Sequence, residues 1–213
     1  MSCWIKSQTL AGVACCILSI ISSLPVASAD SPKKQTFVLN SEASTLTWTG
    51  KKITGSHTGR IQLKSANPII EDGKLIGGNF VVDMGSIVND DLKDEAYNAK
   101  LTSHLKSEDF FNVANFPLTE LKLTKVEPMA NAKSGEPNYL LSGDLTIIGA
   151  TNPISFPATV TIDKSKAHAT AKVSVDRTKW NLKYGSGKFF TGLGDKLIYD
   201  EFTVEVEIVG DLH

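Results

Sequence analysis

The side chains best suited to chemistry are few and far apart. His57 lies in the stretch WTGKKITGSHTG, residues 48–59, after an aromatic and a basic turn and close to glycines. A histidine in that setting could exchange a proton with a substrate or orient a polar group of a ligand. Catalysis would also need a nucleophile or an orienting carboxylate, and neither sits in a recognisable motif. The plainer reading is a histidine hydrogen-bonded near the end of a sheet, with the neighbouring glycines marking a bulge or a close backbone approach. Arg177 follows Val175-Asp176 and could pair an oxygen of a ligand headgroup, or form an ordinary charge pair at a strand end. GSGKFFTGLG, residues 185–194, is glycine-rich but is no phosphate loop, because neither Ser nor Thr follows Lys188. It reads as a loop between strands whose Phe189-Phe190 pair could fold over a core or guard an opening.

Metal chemistry has little to work with. His57, His104, His168 and His213 form no HxH or HExxH pattern, and a zinc site needs about three or four converging ligands. All three cysteines, Cys3, Cys15 and Cys16, fall within the first thirty residues. That stretch has the order of a secretory signal peptide: Lys6, an uncharged and mostly apolar run from Leu10 to Val26, then Ala27-Ser28-Ala29. Cleavage after Ala29 is expected, leaving residues 30–213 as one domain without a disulfide, a thiolate or a cysteine ligand. An uncleaved anchor fits less well, because Ser19, Ser22, Ser23 and Pro25 interrupt the run. The expected location is therefore periplasmic or secreted. A net charge of −1 and the lack of a basic stripe argue against nucleic acid as a partner. No apolar run after Ala29 could span a membrane as a helix.

The elements that must position these groups are mostly strands. Leu46 and Trp48 alternate with threonines, Ile61 and Leu63 with Arg60, Gln62 and Lys64, and Leu121 and Leu123 with Lys122 and Thr124. Leu141, Gly143, Leu145 and Ile147 share a parity, as do Ile154 with Phe156, Val160 with Ile162, and Val173 with Val175. Near the end, Phe202, Val204, Val206 and Ile208 oppose Glu201, Thr203, Glu205 and Glu207. This is the period of antiparallel strands with one dry and one wet face. Turn signals at Asn67-Pro68, Glu71-Asp72-Gly73, Ser134-Gly135 and Asn152-Pro153 predict breaks between strands, as in a sandwich or barrel. One stretch differs: DDLKDEAYNAKLTSHLKSEDFF carries Leu101, His104 and Leu105 at helical spacing. One or two short helices are expected there, with Ser107 capping the second and Asn115-Phe116-Pro117 ending the segment.

Taken in order, WTGKKITGSHTGRIQL, HLKSEDFFNVANFPLTELKL, LSGDLTIIGATNPISFPATV, VDRTKWNLKYG and DEFTVEVEIVG resemble the YceI-like family, over about Thr36 to Gly210. That resemblance implies an all-β fold, an eight-stranded antiparallel lipocalin-like barrel with a long hydrophobic channel, and a polyisoprenoid or isoprenoid-quinone ligand. The chain departs from the family pattern at Arg177-Thr178-Lys179-Trp180, which keeps an aromatic of a different type.

The expected lining is Trp48, Ile61, Leu63, Val82, Met84, Phe110, Leu145, Ile147, Phe156, Val173, Val175, Trp180, Phe202 and Val204, with His57 and Arg177 as polar contacts. Lys122, Thr124, Glu205 and Glu207 should be wet. Burying one CH₂ yields ~0.8 kcal/mol, so a five-carbon unit yields roughly 3–4 kcal/mol. Three or four units would offset the ~4–15 kcal/mol lost on association, and a headgroup contact would add orientation more than affinity. The reading is thus a binding or transport protein with no catalytic residue, metal or cofactor. The rivals are an enzyme using the same cavity and a solid-cored protective protein. An edge or a loop could pair two copies into a homodimer, and no motif specifies it.

Overall fold

The computed structural model describes Met1 and residues 32–213. The expected leader, its cleavage point after Ala29 and the three cysteines lie outside the described residues. Ten strands form a single antiparallel sheet: β1 (Lys34–Gln35), β2 (Phe37–Leu39), β3 (Thr45–Lys52), β4 (Gly55–Glu71), β5 (Lys74–Asp83), β6 (Leu118–Pro128), β7 (Tyr139–Ile147), β8 (Ala150–Ile162), β9 (Lys166–Asp176) and β10 (Glu201–Leu212). From β3 to β10 each strand pairs with the next in sequence, and β10 pairs back onto β3. The β4–β5 pairing completes the ring, which is a closed eight-stranded up-and-down barrel. β1 and β2 extend it at one end, on β4 and β10.

Alternation sets which side chains face in. Leu46, Trp48, Ile61, Phe156, Val160 and Val175 are buried, while Lys122, Thr124, Glu205 and Glu207 are exposed. Lys172–Glu205 and His168–Glu207 pair across the outer face, at 3.0 and 3.1 Å. A wall that is charged outside and apolar inside is the reverse of a membrane-spanning barrel, which turns its apolar side outward.

Three irregularities were not expected. The register shifts between Leu63 and Ser65 and between Ile69 and Ile70 in the β4–β5 pairing, and between Leu123 and Lys125 in the β6–β7 pairing. The first and the last restore an apolar side chain to the interior, so Ala66 and Ile70 follow Leu63, and Val126 follows Leu123. Asn67-Pro68 and Asn152-Pro153 do not break strands. They lie inside β4 and β8. Proline is tolerated because one edge is open at each point. β3 has left β4 after Ile61, and β9 joins β8 only from Ala158.

The barrel ends are unlike. The base holds the Asp72-Gly73 turn, residues 129–138 and residues 163–165. The mouth holds the β3–β4 hairpin tip, the crossing from 84 to 117 and the loop from 177 to 200. The crossing contains one α-helix, α1 (Glu95–Lys106), where Asp94 accepts hydrogen bonds from the Ala96 and Tyr97 amides. Ser107 closes this helix rather than opening a second: its hydroxyl donates to the His104 carbonyl, and residues 108–111 are turns.

Before α1 the crossing covers the free edge of β4. Val88 and Asp90 amides donate to the Arg60 and Thr58 carbonyls, both at 3.0 Å. Arg60 grips Asp90 through two bonds, at 2.8 and 2.9 Å, and His57 pairs with Asp91 at 3.0 Å. The Trp48 indole donates to the Val88 carbonyl at 3.0 Å. This close crossing explains Gly59, where a Cβ would stand 1.9 Å from the Val88 oxygen.

Two predictions follow from the cover. Gly59→Ala should destabilise the fold by about 1–3 kcal/mol, read as a lower thermal midpoint by roughly 2–4 °C per kcal/mol. Gly50→Ala, on the paired strand with nothing within 4 Å, should be neutral. Equal midpoints for the two variants would contradict the assigned contact. The second concerns acid. The hydrogen bond from Arg60 holds the Asp90 carboxyl below its ordinary range. Burial works against the charge on Asp91, but bonds from Asn89, His57 and the Thr58 amide outweigh it and also lower its pKa. Stability from such groups is present above the unfolded value of ~3.9 and is lost as pH falls through the lower folded values. Urea midpoints should therefore drop below about pH 4, and the drop should be shallower in Asp90→Asn/Asp91→Asn. An identical acid profile in that double variant would remove these carboxylates from the account.

Candidate functional site

The barrel interior is not filled. A cavity of about 280 Å³ runs from Gly50 and Lys51 at the hairpin tip to Ile162 and Ala167 near the base, and its wall is almost wholly apolar. The room comes from side-chain size. The inward row of β9 reads Ala167, Ala169, Ala171, Val173, Val175, and the facing rows contribute mainly Leu, Ile and Val. An eight-stranded barrel is just wide enough to be packed solid or to hold one small ligand, and small residues on one wall decide for the latter. The volume of about 280 Å³ falls just below the usual span of small-molecule sites, ~300–1,000 Å³.

Most residues expected in the lining are there. Trp48, Ile61, Leu63, Val82 and Met84 come from β3 to the turn after β5, and Phe110 from the crossing. Leu145, Ile147, Phe156, Val173, Val175, Phe202 and Val204 complete the wall from β7 to β10. The alternation that found them also marks Leu46, Leu123, Leu141 and Val206, which line the same space. Phe80, Leu105 and Phe111 line it as well.

Two residues fall elsewhere. Trp180 is 2 % exposed but does not border the cavity. It packs with Ile147, Val175 and Leu182, and its indole donates to the Leu145 carbonyl at 2.8 Å. It plugs the seam where β8 and β9 are not yet paired. His57 keeps the inward parity of Ile61 and Leu63, yet it does not line the cavity. The row is interrupted at Gly59, where the Val88–Asn89 backbone crosses, so the imidazole lies beyond that crossing with Asp91 as partner. The hydrogen-bonded reading of His57 describes what is seen.

Arg177 borders the cavity at the mouth and is 4 % exposed. Its guanidinium donates to the carbonyls of Tyr199 at 3.2 Å, Leu182 at 2.7 Å and Ile198 at 3.1 Å. Burial pushes its pKa down while Asp200 and Asp176 oppose the shift. The residue is therefore a clamp on the 182–200 loop, not a surface charge pair, and few of its donors remain for a ligand. One Asp200 oxygen, Oδ1, has no hydrogen-bond partner; Arg177 at 3.6 Å is an ion pair too long to satisfy it. Lys188 reaches back to Asp176 at 2.9 Å and Asp200 at 3.5 Å, fastening the middle of the loop. Burial disfavours the Asp176 carboxylate, but bonds from Thr178 and Lys188 prevail and hold it below the ordinary range.

An aromatic cluster joins the two covers of the mouth. His104 stacks edge-on against Phe110 at 5.0 Å and Tyr184 at 4.7 Å, and Phe110 and Tyr184 rings are 5.5 Å apart. Tyr184 had no periodic signal in the sequence, since it lies in a loop. Among the described residues no group of three or more His, Cys, Asp and Glu could hold a metal, and no helix is long and apolar enough to cross a membrane.

This geometry has counterparts among known proteins. Residues 37–210 match the YceI-like domain. Over 57 residues the chain is 37 % identical to the UPF0312 protein plu2095 of Photorhabdus laumondii, a stretch that covers 27 % of each of the two chains. The aligned part thus spans only about a quarter of that relative. Among solved structures, BcnA of Burkholderia cenocepacia is similar with a TM-score of 0.60 and 19 % identity, over 81 % of this chain and 99 % of that one. A polyisoprenoid binding domain from Saccharophagus degradans, described as implicated in plant cell wall breakdown, gives a TM-score of 0.57 and 14 % identity, over 83 % and 97 %. At these identities the structures testify to fold. The family match runs through nearly the whole barrel, and the chain belongs to the YceI-like domain family.

Proposed function

We propose that the protein binds a long apolar lipid of the polyisoprenoid or isoprenoid-quinone type inside the barrel, to sequester or carry it, in the periplasm or after secretion. The observation that carries this reading is the elongated cavity of about 280 Å³ with its nearly unbroken hydrocarbon wall. A polar substrate would leave its hydrogen-bonding groups unmatched against such a wall, at a cost of ~1–3 kcal/mol each. A hydrocarbon chain gains ~0.8 kcal/mol per buried CH₂. The Saccharophagus degradans polyisoprenoid binding domain, which shares the fold, supports the same ligand class. The function is binding without a chemical step. His57 and Asp91 are a pair outside the cavity, and Arg177 is engaged by backbone carbonyls.

Native mass spectrometry of protein purified from its own host should show an adduct with the mass of an isoprenoid lipid. Ala171→Trp, and separately Ala169→Phe, place bulk on the smallest stretch of wall, and both should lose the adduct while keeping the β-sheet circular dichroism spectrum. His57→Ala should keep it. Protein that carries no lipid from its host and takes up none from detergent-dispersed isoprenoid would refute the proposal.

A further inference from the structure

The mouth carries a second surface that the cavity does not use. The β3–β4 hairpin tip and the loop from 183 to 199 form one continuous platform. Lys52 and Ile198 make a β-bridge, the Ile53 amide donates to the Leu197 carbonyl at 3.2 Å, and the Tyr199 amide donates to the Lys51 carbonyl at 2.9 Å. Ile53, Tyr184, Phe189, Phe190 and Tyr199 project from it, each between 43 % and 52 % exposed. Large rings kept in water side by side mark a contact surface.

Three features select its occupant. The platform is continuous with the cavity rim, because Lys51, Ile198 and Tyr199 line the cavity as well. It mixes tyrosine and phenylalanine with basic groups. Lys51, Lys52, Lys183 and Lys196 are exposed there against Asp195, while Lys188 is already paired with Asp176 and Asp200. The Lys183 ammonium lies 5.0 Å from the centre of the Phe189 ring, so cation and ring present together. Aromatic residues flanked by lysines suit the boundary between lipid headgroups and acyl chains, where rings bury and ammonium groups meet anionic phosphates. The exposed aliphatics at the base, Ile69, Ile76 and Met129, have neither rings nor contact with the cavity.

We propose that this platform docks the barrel, mouth first, on an anionic lipid bilayer, so that the apolar cargo passes between membrane and cavity without crossing water. The inference rests on the proposed lipid ligand for its purpose, but the docking itself is separately measurable. Exposed aromatic area and anionic-lipid attraction act together in such binding, and each falls away independently.

The test is flotation with vesicles of phosphatidylcholine alone and of phosphatidylcholine with phosphatidylglycerol, using proteins that share the same N terminus. The wild type should float with the anionic vesicles, more weakly with the zwitterionic ones and more weakly at high salt. Phe189→Ser/Phe190→Ser should lower the partition coefficient by about tenfold or more, and Lys52→Gln/Lys196→Gln, at lysines that do not line the cavity, should remove the preference for anionic lipid. Ile76→Ser, at the base, should float as the wild type does. Circular dichroism and the retained lipid adduct show that each variant is folded and loaded. A loaded wild type that does not float, or floats equally well without Phe189 and Phe190, overturns the docking proposal and leaves the ligand reading intact. Concentration-dependent dimers abolished by the same phenylalanine variant also overturn it, since the platform would then be a contact between copies. Flotation by a protein that never carries lipid upholds the platform and sinks the ligand reading instead.

Discussion

Closure of the hydrogen-bonded ladder is the constraint on which the other features depend. With β10 paired to β3 and β4 to β5, the ring has no free edge over most of its length, and each strand turns one row of side chains to the interior, changing parity only at a bulge. That row is almost wholly apolar, so the inside is dry whether or not it is full. Whether it is full then depends on side-chain volume alone. Alanines at 167, 169 and 171 stand where Leu or Phe would pack the barrel shut. Natural interiors are close-packed, and a void lined by hydrocarbon forfeits dispersion contacts. A second molecule that supplies those contacts accounts for the space without strain.

The two ends divide the work. At the base, short turns and the terminal strands finish the core around Ile70, Leu75 and Leu212. At the mouth the longer segments gather, and each is tied down by polar bonds as well as by buried side chains, Met84 and Ile87 in one and Trp180 and Leu182 in the other. The 84–117 crossing is fixed to the β4 edge through Arg60, Asn89 and Asp91. The 177–200 loop is fixed through Arg177 and Lys188. Bonds of this kind exchange for water at modest cost, typically ~0.5–1.5 kcal/mol each.

Much of this was legible because a strand's parity is written in every second residue. Leu145, Ile147, Phe202 and Val204 needed only that rule, as did the wet Glu205 and Glu207. The bulges at Lys64 and Thr124 were not legible, since one inserted residue leaves both flanking patterns intact. Asn67-Pro68 and Asn152-Pro153 read as turns because proline lacks an amide; only the three-dimensional ladder shows that no partner asks for it there. His57 had the right parity and the wrong neighbourhood, because the segment that crosses Gly59 comes from thirty residues further on. Arg177 looked like a group for a ligand because its carbonyl partners are backbone atoms, which carry no sequence signal. The family resemblance anticipated the closed barrel and its hollow interior.

The account stands or falls on what occupies the axis of the barrel. The most direct measurement is a high-resolution crystal structure of protein taken from its own host without organic solvent. The expected result is continuous, chain-like density from the level of Tyr199 down to that of Ala167, in contact with Ala169, Ala171 and Val173. Side chains meeting across the axis, or a file of ordered water in place of the chain, would contradict it.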